Sequence, residues 1–148
     1  MEPQKIDRRR NYIVVLDTET ANDLECPLAY DIGWAIVDKW GTVYRKRSFI
    51  NREIFFLEKD LMQSAYYAEK LPIYYKRIAS GEAKVANWHT IKKILWQDMA
   101  EFETKIVSAH NARFDYKSTT TTQRWLTKSA YRYFFPKGTE IWDTMKMA

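Results

Sequence analysis

The sequence predicts an α/β domain: a five-stranded mixed sheet, three antiparallel strands followed by two parallel ones, flanked by helices. Three observations carry that expectation. Tyr30–Asp38 and Thr42–Ile50 are apolar, strand-like runs joined by Asp38-Lys39-Trp40-Gly41, a turn short enough to fold them into an antiparallel hairpin. Beyond the hairpin, helical and strand-like patterns alternate, as in sheets covered by helices. The first and fourth strands both lead into acidic sequence. If they lie side by side and parallel, their acidic ends meet at the C-terminal edge of the sheet, where α/β sheets usually place ligands.

The elements follow in order. Met1 to Asn11 is polar and aperiodic, and Arg8-Arg9-Arg10 gives it a basic character best read as a solvated lead-in. The first strand spans about Tyr12 to Asp17, where Ile13, Val14 and Val15 supply the β-branched residues of a buried strand. Ala21 to Leu28, with Asn22, Asp23 and Pro27, reads as a loop. The hairpin strands come next. From about Arg52 to Ser80 the pattern turns helical: Leu57, Leu61, Ala65 and Ala68 recur at spacings of three and four, Pro72 starts or kinks a helix, and Gly81 is a stop. A clearer helix is expected over Thr90–Phe102, with Ile91, Ile94, Leu95, Met99 and Phe102 on one face and Lys92, Lys93, Gln97 and Asp98 elsewhere. Thr104–Ala109 is the fourth strand, Thr119 to about Tyr131 a helix despite its threonines, Phe134–Gly138 a loop, and Glu140–Asp143 the fifth strand. Thr144 to Ala148 begins a further helix.

Composition narrows the class. A chain of 148 residues is one domain by size, and 46% hydrophobic with 29% charged residues describes a globular chain rather than a disordered one. The net charge of +5 suits a polyanionic partner without requiring one. A single cysteine, Cys26, excludes an intrachain disulfide and a cysteine-based zinc site. No apolar run approaches the roughly 20 residues of a membrane span, and no signal-peptide core is visible near the N-terminus. The expected location is cytoplasmic.

The chemistry concentrates after the first strand. Asp17 and Glu19 are spaced i, i+2, which on a strand points both carboxylates to one face. Two readings stay open from these residues alone: a divalent-cation site, or a strand leaving into a polar loop. Asp115 adds a third hard oxygen donor with no soft ligand nearby, a set suited to Mg²⁺ or Mn²⁺ rather than zinc.

Asp17-Thr18-Glu19-Thr20, Asp31-Ile-Gly-Trp-Ala-Ile-Val-Asp38, His110-Asn111-Ala-Arg-Phe114-Asp115 and Trp142-Asp143-Thr144, in that order, resemble the DnaQ-like (DEDD) 3′–5′ exonuclease family of the ribonuclease H-like fold. The likeness spans roughly Ile13 to Met145. It implies a two-metal-ion hydrolysis of terminal phosphodiester bonds in DNA or RNA, in a setting such as replication or repair. Asp17 would bridge both ions, Glu19 would hold the ion that activates water, and Asp115 would support the second. Ions about 4 Å apart would activate the water near neutral pH and stabilise the leaving 3′ oxygen. The partner would be the 3′ end of a single strand. Asn111 would hydrogen-bond near the terminal nucleotide, Thr18 and Thr20 would offer backbone groups to it, and Phe114 would either pack on it or fill the core.

The sequence departs from the family in its third motif, a fourth Asp preceded by a His or Tyr general base. No Tyr is followed by Asp at the required spacing. The one formal match, His110 to Asp115, has the context of the second motif. Asp143 more simply caps the following helix. The C-terminal helices of the family are therefore expected to be truncated here, leaving a sheet face open to self-association or to a partner chain. Loss of the base removes a factor of roughly 10²–10⁴, so activity is expected to be weak or absent. The alternative is a non-catalytic nucleic-acid-binding or scaffolding domain on the same fold. Lys92-Lys93 and Arg45-Lys46-Arg47 either contact phosphates or, more simply, solvate their faces. His89 is solvated or capping, and Trp34, Trp40 and Trp88 either stack on bases or pack in the core.

Overall fold

A computed structural model describes residues 6, 11–63, 68–127 and 133–143. Its sheet has six strands among the described residues: β1 (Tyr12–Ala21), β2 (Leu28–Asp38), β3 (Val43–Asn51), β4 (Lys84–Ala86), β5 (Ile106–Ala109) and β6 (Glu140–Asp143), in the order β4-β3-β2-β1-β5-β6. β2 is antiparallel to both β1 and β3, whereas β5 runs parallel to β1 and β6 parallel to β5. The expected count of five omitted β4. Three residues are too few to show alternation, and Lys84–Ala86 is a strand only because β3 offers it a parallel edge.

The predicted hairpin forms where the turn chemistry placed it. Asp38 Oδ1 accepts the Trp40 and Thr42 amides at 2.9 and 3.0 Å, and Tyr44 donates to Oδ2 at 2.9 Å. Gly41 closes the turn at φ +82°, a conformation that favours a residue without a Cβ. β1 runs further than its apolar run suggested. Pairing with β2 continues through Asp17↔Gly33 and Glu19↔Asp31 to Ala21↔Leu28, with a bulge after Glu19. Asp17 and Glu19 therefore lie within a strand, and not in the loop that follows one.

The helical stretch after β3 resolves into short pieces: α1 (Arg52–Phe55), α2 (Lys59–Gln63), a 3₁₀ turn (Ala68–Lys70) and α3 (Leu71–Ala79), with Pro72 in the first turn of α3. Ala65, part of the predicted period, lies outside the described residues. α4 (Trp88–Glu101) begins two residues earlier than expected, with Glu53 Oε1 accepting the Trp88 amide at 2.8 Å. His89 sits exposed inside its first turn rather than before it.

The larger correction concerns α5 (Ala112–Leu126), which starts seven residues before the predicted Thr119. Ser and Thr are poor helix interiors when exposed, but here their hydroxyls bond to preceding carbonyls. Thr119 donates to Asp115 O at 2.9 Å and Thr122 to Ser118 O at 2.6 Å, which satisfies them inside the core. Thr122 also accepts the Ala29 amide of β2 at 2.9 Å, tying helix to sheet. α5 ends at Leu126, where Thr127 turns extended, short of the expected Tyr131; residues 128–131, the helix expected from Thr144 and the Arg8–Arg10 segment fall outside the described residues.

Alternation on β1 sorts the two faces. Tyr12, Val14 and Leu16 enter the main core with Ile32, Trp34 and Ile36 of β2 and Trp88, Ile91, Leu95 and Met99 of α4. A second core gathers Leu28, Tyr30 and Ile50 beneath Ile54, Phe55 and Tyr74 of α1 and α3. Phe134 and Phe135, in the predicted loop, are buried, and Phe134 stacks on Trp88 with centroids 4.5 Å apart. Trp34 and Trp88 are thus core residues. Trp40 is 76% exposed at the hairpin tip. Asp98, expected on the outer face of α4, is buried and accepts from Trp34 Nε1 (2.9 Å), Arg45 (2.8 Å) and Arg47 (two bonds at 3.0 Å). Arg45 and Arg47 accordingly pair internally, and Lys46 between them is exposed. No helix among the described residues is long and apolar enough to cross a membrane.

Candidate active site

β1 and β5 are parallel neighbours, paired at Val14↔Val107 and Val15↔Ser108. β5 leaves the sheet at Ala109 while β1 continues through Asp17 and Glu19. The acidic segment of β1 thus stands beside the β5–α5 connection, where the sequence placed the meeting of two acidic ends.

The carboxylates reach β1 from two sides. Asp17 and Glu19 face the open side of the sheet and line a groove of about 670 Å³. Thr18, of opposite parity, points to the helical side, where its hydroxyl donates to Asp115 Oδ1 at 2.6 Å and lies 3.1 Å from Ser118 Oγ. Asp115 is buried in the first turn of α5. Among the described residues no three His, Cys, Asp or Glu side chains converge as a ready-made ion cage.

Electrostatics link the two sides. Burial first, and then the charges of Asp17, Asp31 and Asp115, push the Glu19 carboxyl up to about 7. Burial also lifts Asp115 to about 6, opposed by the Thr18 hydrogen bond and assisted by Asp17 and Asp143. Asp143 ends β6 opposite Ala109. Crowded anions of this kind lower their energy by taking up protons or a cation. The donors are all hard oxygens, so Mg²⁺ or Mn²⁺ fits the set better than zinc.

The remaining expected residues divide. Thr20 lies half-buried just past the β1 bulge, and Phe114 is half-buried on α5. Asn111 caps α5 through its backbone, its carbonyl accepting the Asp115 amide at 3.0 Å. Its side chain makes no capping bond and is exposed. Thr18 offers a side-chain contact to Asp115 instead of only a backbone group.

Sequence reasoning missed two groups. Asp31 is the cross-strand partner of Glu19 and lines the same groove. Burial raises its carboxyl, while Arg77 on α3, 3.6 Å away, pulls it back. Period-two alternation along β2 would have found Asp31, since it shares a face with Gly33 and Ala35. Arg77 carried no local signal, because α3 reaches the groove only through tertiary packing. The chain matches no known family and no curated protein.

Proposed function

We propose that this domain is a metal-dependent 3′–5′ exonuclease of the DnaQ-like, ribonuclease H-like kind, acting on the 3′ end of single-stranded DNA or RNA. The strand order β3-β2-β1-β5-β6, antiparallel and then parallel, supports that fold reading. The observation that carries the function is the crowding of carboxylates where β1 passes the end of β5: Asp17, Glu19 and Asp31 on one side, Asp115 on the other. Asp17 and Glu19 would hold the first cation and Asp17 and Asp115 the second. Bound divalent ions supply water activation and charge stabilisation at the leaving oxygen.

The chain's own residues do the rest. Thr18 fixes the Asp115 carboxylate by a 2.6 Å hydrogen bond and so sets its orientation before any ion arrives. Ser118 stands by the same hydroxyl at 3.1 Å. Phe114 and Asn111, next to Asp115 at the head of α5, are the residues available to a terminal nucleotide. Residues 1–148 hold no fourth Asp preceded by His or Tyr at the family's spacing, so this stretch by itself should turn over slowly.

The test is stepwise shortening of a 5′-labelled single strand from its 3′ end, with release of unlabelled 5′-mononucleotides, in Mg²⁺ or Mn²⁺. Slow release that stops in EDTA and in Asp17→Ala supports the reading. Robust release that survives Asp17→Ala refutes the site.

A further inference from the structure

The groove that contains Asp17 and Glu19 has a second wall. Cross-strand register sets three rows, Val15–Ala35–Lys46, Asp17–Gly33–Ser48 and Glu19–Asp31–Ile50, the first two on the open sheet face and the last closed off where Ile50 is buried beneath α1 and α3. In the middle row the floor residue has no side chain, and a Cβ there would lie 3.2 Å from the Arg47 carbonyl oxygen. Two strand spacings, about 10 Å, separate Asp17 from Ser48 across this low floor. The β1 wall is anionic, and the β3–α3 wall carries Lys46 and Arg77, with Glu82 at its edge.

Arg77 is held but not saturated. Its Nη2 donates to Ser48 Oγ at 3.1 Å and its guanidinium lies over the Tyr74 ring at 5.5 Å. Its ion pairs are long, 3.6 Å to Asp31 and 3.9 Å to Glu82, beyond good hydrogen-bond geometry. A guanidinium has five donors in a fixed fork suited to phosphate oxygens. Arg47, by contrast, is committed to Asp98 on the helical side. Lys46 is exposed and projects into the same groove.

We infer that Arg77, with Lys46 beside it, is the phosphate anchor that lays a single nucleic-acid strand across the β1–β3 face with its 3′ end over Asp17 and Glu19. This rests on the nuclease reading and adds to it the direction of the strand: the 3′ end on β1, the body toward β3 and α3. A polyanion matches the wall that faces the acids, and small Gly33 and Ala35 leave it room. Arg77 is a positioning residue and takes no part in bond cleavage.

The experiment is fluorescence anisotropy of the full chain with labelled oligothymidylate and, in parallel, oligouridylate, in Ca²⁺ across a salt series. Arg77→Gln should weaken binding about tenfold at low salt. It should also reduce the slope of log affinity against log salt by about 0.7, the signature of one lost phosphate contact on a single strand. Arg77→Lys should restore the slope and only part of the affinity, since it keeps the charge and loses the fork. Lys46→Gln, at an exposed side chain, should reduce the slope similarly and guards against misfolding of the Arg77 variant. Mn²⁺ binding should persist in both charge-removing variants, which shows that the acidic site is still folded. Binding by the parent with an unaltered salt slope in both overturns the anchor alone. Absence of binding by the parent to either strand overturns the nuclease reading together with the anchor.

Discussion

Thr18→Val probes the contact that joins the two sides of the site. Valine keeps the shape of threonine, so at this buried position the substitution mainly removes a hydroxyl that donates to Asp115 Oδ1 at 2.6 Å. A neutral hydrogen bond contributes about 1 kcal/mol and one to an ionised group about 1.5–3 kcal/mol. Which value applies depends on the charge of Asp115. Its carboxyl titrates at about 6 in the fold against 3.8 in the ordinary case, because burial outweighs the Thr18 bond. The folded state therefore holds the extra proton between those values, and stability falls as pH rises through that window. The hydroxyl supports the ionised form, so its loss pushes the Asp115 carboxyl higher still. The substitution should cost about 1 kcal/mol near pH 5 and about 2–3 kcal/mol near pH 8. Urea unfolding in EDTA measures this directly. With a slope of about 1–3 kcal/mol per molar, the midpoint deficit should grow by roughly 0.5–1 M between the two pH values. An equal deficit at both would refute an ionised, Thr18-supported Asp115.

Other outcomes follow from the same geometry. Asp98→Asn leaves Arg45, Arg47 and the Trp34 indole without their shared carboxylate and should cost about 3 kcal/mol at neutral pH. In a thermal melt that is a drop of about 10 °C. Burial works to raise the Asp98 carboxyl, but the Arg47, Trp34 and Arg45 hydrogen bonds prevail and hold it below the ordinary value. Its contribution is therefore present above the unfolded carboxyl value and lost as pH falls through the depressed one, so the deficit should fade in acid. An undiminished deficit there would count against the network. Glu19→Gln should raise the melting temperature in EDTA near pH 8, where the raised Glu19 carboxyl is charged among Asp17, Asp31 and Asp115, and have little effect near pH 5. The same variant should lose the stabilisation that Mn²⁺ gives the parent. A variant that melts lower in EDTA near pH 8 would show that the carboxylates are not in conflict.

Much of this fold was legible because its strongest signals are local. The hairpin announced itself through Asp38 and Gly41, and the acids of β1 through their i, i+2 spacing. The parallel adjacency of β1 and β5, only a condition in the sequence reading, is met in the sheet. What stayed hidden was set by partners distant in sequence. β1 looked finished at Asp17 because its apolar run stops, yet β2 keeps pairing with it to Ala21. The threonines of α5 argue against a helix until their hydroxyls find carbonyls and the Ala29 amide. Asp98 reads as a solvent-facing helix residue until two arginines and an indole arrive from β2 and β3. Around the candidate site, the placement of Asp17 and Glu19 on one face of β1 was readable from their spacing. Asp31 and Arg77 were not, since one is a cross-strand neighbour and the other comes from a helix packed over the groove.

The central claim is that the β1 acids and Asp115 together take up divalent cations. Calorimetric titration of Mn²⁺ into the parent chain, Asp17→Asn and Asp115→Asn tests it most directly. Binding by the parent, abolished in Asp17→Asn and reduced in Asp115→Asn, is the predicted result. A parent chain that takes up no Mn²⁺ would contradict it and favour a nucleic-acid-binding or scaffolding domain without catalysis.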